Sequence, residues 1–216
     1  VLGGSGLSLL WRGEGNRGGT PSLPPVTLVT SPDALERLGE GSFQLSDPRL
    51  SLRDLKRLGD RLAVQDPVSA VLRAREVPGV ENRDIYLGEV LRTWGERDGE
   101  AAAKWVSSQF SGEHLSDALY YVADGWAETD PEGSADWFLE NTTGSIRDDA
   151  LWESVEAWGR KDTKAALAWA NRLDDYLKWT VMDGLASGWA SVDPPAAAAA
   201  GLEMRDEDHG HEFVIT

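Results

Sequence analysis

Apolar residues recur at helical spacing along most of the chain, and each series ends on a large anchor side chain. One such series has residues three to four apart, on one helix face: Leu115, Leu119, Val122 and Trp126. Similar series end at Trp94, Trp158 and Trp189. The pattern predicts amphipathic helices, each of which needs a neighbour to bury its apolar face.

An aspartate follows each anchor residue four positions later. The anchors and their aspartates are Leu62/Asp66, Trp94/Asp98, Trp126/Asp130, Trp158/Asp162 and Trp189/Asp193. The interval between successive anchors is about 32 residues, which is within the range that indicates stacked structural repeats. The sequence therefore predicts an array of repeated units.

The recurring aspartate is best explained as a helix cap. In Asp130-Pro131, the carboxylate can accept a hydrogen bond from a free backbone N–H, and proline suits the first helical position. Asp-Pro also occurs at Asp66 and Asp193. The alternative is a row of carboxylates that binds cations, but a cap accounts for position, residue type and recurrence together.

Each unit is predicted to contain two helices separated by a polar break. The breaks are Ser111-Gly112, residues 141–144, and Asp174-Asp175. The first helix contains a small residue and, four positions later, a tryptophan: Ala101/Trp105, Gly133/Trp137 and Ala165/Trp169. We expect the small residue to admit a neighbouring helix and the tryptophan to fill the space beside it.

The chain divides into a leader and an array. Residues 1–30 are apolar and then Gly/Pro-rich, and we expect them to be disordered. Residues 1–11 are interpreted as the end of an export segment or membrane anchor, the alternative being a Gly-rich leader. The predicted units are 31–61, 62–93, 94–125, 126–157, 158–188 and an incomplete 189–216. In the first unit, Ser51 and Asp54 fit a capping box for its second helix.

These units resemble the α-solenoid superfamily. The small-residue and tryptophan pairs are similar to an element of tetratricopeptide repeats, although the W-x2-L-G-x2-Y element is absent and the period is shorter. The period and the Asp-Pro cap resemble short HEAT-like repeats. The W-x3-D-P-x2-A-x2-W pattern resembles Trp-rich repeats of exported or membrane-anchored bacterial proteins, over residues 31–204. The resemblance implies an all-α, right-handed solenoid of antiparallel helix pairs, and it implies no activity.

Charge and missing motifs narrow the functional classes. The net charge of −16 disfavours nucleic acid and anionic membranes as partners and favours basic ones. There is no cysteine, and no nucleotide-binding or hydrolase motif is present. We therefore expect a non-enzymatic binding or scaffold module, without a cofactor, for a protein or peptide partner. The alternative is the recognition array of a larger exported enzyme or regulator.

Functional residues are expected where the units differ. Recurring tryptophans are interpreted as core, whereas Trp152 and Trp179 do not recur in every unit and are candidate contact residues. The candidate cationic contacts are Arg73, Lys104, Lys164 and Lys178. His209 and His211 lie among carboxylates and are weak candidates for metal ligands. A solvated polar loop is the favoured interpretation of that segment.

Overall fold

A computed structural model describes residues 44–47 and 50–199. Within these ranges the regular elements are helical, with no strand, which confirms the all-α class. The predicted leader, the first helix of unit 31–61, and His209 and His211 lie outside the described residues. The predicted period and solenoid stacking remain predictions.

The described part of the chain forms a succession of α-helices, with one short 3-10 helix among them. In chain order they are α1 (Leu52–Gln65), α2 (Pro67–Leu72), the 3-10 helix Arg73–Glu76, α3 (Val80–Gln109), α4 (Glu113–Ala127), α5 (Pro131–Asn141), α6 (Gly144–Ala170) and α7 (Asp175–Val192). Residues 194–199 are also helical. The chain divides into two compact units, Val1–Thr93 and Trp94–Thr216, with the division inside α3.

In the first compact unit, α1 begins with the predicted capping box. The Ser51 side chain accepts from the Asp54 N–H, and the Asp54 carboxylate accepts from the Ser51 N–H. Tyr86 of α3 is fully buried, and its hydroxyl donates to the Ala70 carbonyl of α2 at 3.0 Å. A Cβ on Gly59 would lie 3.1 Å from the Tyr86 carbonyl oxygen, so α1 and α3 pack closely at this point.

All five recurring aspartates cap a helix, as predicted. Their backbone is non-helical, with φ between −157° and −142° and ψ between 76° and 95°. Each carboxylate accepts a hydrogen bond of 3.0–3.2 Å from the backbone N–H three residues later. The residues are Asp66, Asp98, Asp130, Asp162 and Asp193.

Asp98 and Asp162 show how short the junction between units is. Each is a single non-helical residue inside a longer helix, α3 or α6. The residues that follow them, Gly99 and Thr163, keep a backbone N–H, which proline lacks at the equivalent position after Asp130. The second helix of one predicted unit therefore runs into the first helix of the next with only a kink.

The structure corrects the predicted role of the small residues in the first helices. Ala101, Gly133 and Ala165 are only half-buried. Their backbone N–H groups donate to the carboxylates of the capping aspartates. A Cβ on Gly133 would meet the Asp130 carboxylate first. The fully buried small residues lie one position later, where the side chain turns away from the cap towards the core: Ala102, Ser134 and Ala166.

Anchor tryptophans pack against the tryptophan of the following first helix. The ring centroids of Trp94/Trp105, Trp126/Trp137 and Trp158/Trp169 lie 5.4, 6.2 and 5.9 Å apart, at similar tilts of 47–50°. The core prediction is confirmed for the buried rings of Trp94, Trp126, Trp158 and Trp169. The rings of Trp105, Trp137 and Trp189 are half-buried.

Glycines next to the anchors bring the second helices together. Gly95 follows Trp94, and a Cβ there would overlap the Val122 carbonyl of α4. A Cβ on Gly159, which follows Trp158, would lie 2.7 Å from the Leu185 carbonyl oxygen of α7. The helices α4, α6 and α7 therefore pack in succession, and α6 also packs on α5.

Candidate functional site

The solvent-facing stripe of α4, α6 and α7 combines carboxylates with aromatic rings. We define the acidic-aromatic face by residues on these three helices: Tyr120, Asp124, Asp148, Trp152, Glu153, Tyr176, Trp179 and Asp183. Tyr120, Trp152 and Asp183 share one register, since each lies six residues before its anchor tryptophan. The packing of α4 on α6 and of α6 on α7 brings the three positions onto neighbouring helices.

Trp152 connects two of these helices. Its ring is half-buried, and its Nε1–H donates to Oδ2 of Asp183 on α7 at 3.3 Å. Trp179 lies one helical turn before Asp183, and 53% of its surface is exposed. The two tryptophans thus lie on either side of a carboxylate in neighbouring helical positions.

Tyr176 already holds a cation within the chain. Its ring is 61% exposed, and the Arg147 guanidinium carbon lies 6.0 Å from the ring centroid. The Tyr176 hydroxyl donates to Asp148 at 2.8 Å, and Asp148 also pairs with Arg147 at 3.0 Å. The hydrogen bond to Asp148 raises the pKa of Tyr176. This corner of the face shows the ring-and-carboxylate arrangement that a further cationic side chain would use.

Glu153, between α4 and α6, lies in an environment that disfavours its charge. Burial raises the pKa of Glu153, and the negative charges of Asp124 and Glu156 raise it further. The hydrogen bond with the Tyr120 hydroxyl and the positive charge of Arg160 lower it, but burial is the largest effect. Burial is also the largest cause of the raised pKa of Tyr120. A bound cation would stabilise the ionised form of Glu153, so the face is electrostatically suited to a basic ligand.

Two other carboxylates on the same helices follow this trend. Burial raises the pKa of Asp117 on α4, where His114 lowers it and Glu113 raises it. Burial and the negative charge of Asp148 raise the pKa of Asp149 on α6. The nearby Arg160 is already engaged, since it pairs with Glu156 and with Glu128. Negative charge is therefore concentrated along the solvent-facing stripe, and Arg160 neutralises only the two glutamates with which it pairs.

The predicted contact residues occupy both kinds of helix. Trp152, Lys178 and Trp179 lie on second helices, where Trp152 and Trp179 belong to the acidic-aromatic face. Lys104 and Lys164 lie on the first-helix segments of α3 and α6, and Lys104 pairs with Glu100.

Arg73 belongs to the first compact unit and pairs with Glu76 at 3.1 Å. The six predicted residues therefore have separate surroundings, and only the two tryptophans join one site.

Sequence reasoning missed the tyrosines and carboxylates of the face. Their position in the sequence could have identified them, because Tyr120, Trp152 and Asp183 lie at the same number of residues before their anchor tryptophans. In the part of the chain that the structure describes, no group of three or more histidines and carboxylates is placed to hold a metal ion.

None of the helices between residues 52 and 192 combines the length and apolar content that a bilayer span requires. No protein-family model, curated protein or solved structure matches the chain.

Proposed function

We propose that this chain is a non-enzymatic binding or scaffold module whose acidic-aromatic face binds a basic peptide segment of a partner protein. In this proposal the units of about 32 residues stack as a right-handed solenoid, and their second helices form the recognition layer. The observation that carries the proposal is the Trp152–Asp183 contact beside the exposed Trp179, on adjacent second helices.

Recognition would combine two kinds of contact. A Lys or Arg side chain over an exposed indole contributes about 0.5–1 kcal/mol, and a charge-assisted hydrogen bond to a carboxylate adds specificity of geometry. No single contact is strong, because the face is exposed and salt screens it. Useful affinity would require several basic residues that engage neighbouring helices together.

The helix spacing suggests how those residues are arranged. Packed helices lie about 8–10 Å apart, and an extended peptide rises about 3.3 Å per residue. Basic residues three positions apart would therefore meet successive second helices. The preferred ligand is an extended segment with a Lys-x-x-Lys or Arg-x-x-Arg pattern.

The test is the binding of a fluorescein-labelled peptide of repeated Lys-Ser-Ser triplets, followed by fluorescence anisotropy. We expect Asp183→Asn and Trp179→Ala each to weaken binding by about three- to tenfold, equivalent to about 0.7–1.4 kcal/mol. Glu132→Gln is the control for Asp183→Asn, because Glu132 is an exposed carboxylate on α5 and the change in net charge is the same.

Equal weakening by Asp183→Asn and Glu132→Gln would contradict the proposal, since it would reflect the overall negative charge alone. Failure of the wild-type protein to bind the peptide at low ionic strength would also contradict it.

A further inference from the structure

A second charged surface, of opposite sign, lies in the first compact unit. It is a groove of about 660 Å³ between α1 and α3. Four of its charged lining residues are basic and two are acidic: Arg53, Lys56, Arg57 and Arg92, with Asp60 and Glu89. This basic groove belongs to a chain whose net charge is −16, so its sign is not explained by the average composition.

Three of the cations form no close ion pair with any described residue. Arg53, Lys56 and Arg57 are exposed and lie on one face of α1. Among the described residues, none of the three donates a hydrogen bond to a carboxylate or lies at ion-pair distance from one.

Two acidic groups near these cations already have partners. The Asp54 carboxylate accepts from the Ser51 hydroxyl at 2.6 Å and from the Ser51 N–H at 3.1 Å. These hydrogen bonds are the main cause of its lowered pKa, to which Arg57 and Arg53 add. Across the groove, Glu89 pairs with Arg92 at 2.8 Å. Asp60, the other acidic lining residue, accepts from the Thr93 hydroxyl at 3.5 Å. With four basic residues against two acidic ones, the groove presents a net positive charge to solvent.

The basic residues occupy the same helix register as the acidic-aromatic face. Arg53, Lys56 and Arg57 lie nine, six and five residues before the anchor Leu62. Asp149, Trp152 and Glu153 lie at the same distances before Trp158. The stripe that carries acids and rings on α6 thus carries cations on α1.

The charge difference extends to the surrounding sequence. Residues 50–93 contain eight basic and seven acidic residues, whereas residues 94–199 contain eight basic and twenty acidic residues. The basic stripe on α1 therefore lies in the part of the chain whose charge is close to balanced, whereas residues 94–199 are strongly acidic.

We propose that the α1–α3 groove binds an acidic segment of a partner protein, rich in Asp or Glu. Arginine guanidinium groups pair with carboxylates through two parallel hydrogen bonds, and lysine adds a point charge. Arg53 and Arg57 are four residues apart, or about 6 Å along the helix axis. Carboxylates on alternate residues of an extended peptide are separated by a similar distance, so an Asp/Glu-x-Asp/Glu pattern fits the groove.

The experiment measures anisotropy of a fluorescein-labelled, alternating Glu-Ser peptide with the full chain at low ionic strength. The double variant Arg53→Glu/Arg57→Glu should bind at least about tenfold more weakly, or about 1.4 kcal/mol. The control Lys104→Glu/Lys164→Glu makes the same change in net charge on first helices of the other compact unit, and it should change the affinity by less than about twofold. Circular dichroism of each variant checks that the helices are retained.

Three results would overturn the proposal. Equal losses in the two double variants would mean that only net charge matters. Displacement of the peptide by inorganic phosphate at a concentration where acetate has no effect would indicate a phosphate site. Light scattering that shows a dimer of the wild type, and a monomer of Arg53→Glu/Arg57→Glu, would identify a second copy of this chain as the occupant. A monomeric wild type with groove-dependent peptide binding supports an acidic segment of a partner.

Discussion

Adding one methyl group at Gly159 tests the close packing of the second helices. A Cβ there would lie 2.7 Å from the Leu185 carbonyl oxygen, 3.3 Å from the Trp189 backbone nitrogen and 3.5 Å from Cα of Gly188. An ordinary van der Waals contact of a Cβ is 3.4–4 Å long, so the first contact is too short by at least 0.7 Å. All three neighbours are backbone atoms of α7, so relief requires the two helices to separate.

Whether Gly159→Ala lowers or raises the free energy of unfolding distinguishes this close packing from an open helix surface. Alanine is favoured over glycine by about 1 kcal/mol inside a helix, whereas overpacking a close contact costs about 1–3 kcal/mol. We expect Gly159→Ala to lower the free energy of unfolding by up to about 2 kcal/mol after the helix-propensity gain is subtracted.

Urea unfolding followed by circular dichroism measures this change, and the slope must stay constant for the midpoints to be compared. Ala168→Gly, at an exposed position of the same helix, calibrates the propensity difference. If Gly159→Ala stabilises the protein by about 1 kcal/mol, α6 and α7 do not approach as described.

Three further predictions address the core, a cap and a titrating group. Trp158→Ala should cost about 3–5 kcal/mol in urea unfolding, because its ring is 5% exposed and packs on a second indole; a loss below about 1 kcal/mol would place the ring outside the core. Asp162→Ala should cost about 0.5–2 kcal/mol and Asp162→Asn much less, because Asn also caps; equal losses would exclude a capping role. Glu153→Gln should raise the melting temperature at neutral pH, because burial raises the pKa of Glu153 and its contribution to stability is lost as pH rises through that pKa. The gain should vanish below the ordinary pKa of 4.5, and a gain independent of pH would point to packing instead of charge.

Local rules predicted where several helices of the described residues begin. The capping box at Ser51, the proline after Asp130 and the polar breaks all depend on residues close in sequence, and these features set where helices begin. Apolar periodicity identified Trp126 and Trp158 as buried for the same reason.

Two features depended on packing and could not be predicted from neighbours in sequence. The difference between Ala101, half-buried, and Ala102, fully buried, is set by the direction of the side chain relative to the cap and the neighbouring helix. The close approach at Gly159 depends on a carbonyl group more than twenty residues away.

The acidic-aromatic face was predicted in part. Trp152 and Trp179 are candidates from the sequence because they do not recur in every unit. Tyr120 and Glu153 are candidates only because α4 packs on α6. Lys104, a candidate contact because of its charge, forms an ion pair with Glu100 one helical turn earlier.

The proposed recognition surface is tested most directly by nuclear magnetic resonance of the indole N–H groups during titration with the Lys-Ser-Ser peptide. Assignments come from single Trp→Phe variants. We predict that the signals of Trp152 and Trp179 shift in a saturable manner, whereas those of Trp158 and Trp169 stay in place, because their rings are 5% and 3% exposed. Unchanged Trp152 and Trp179 signals, under conditions where anisotropy shows binding, would contradict the proposal that this face holds the basic segment.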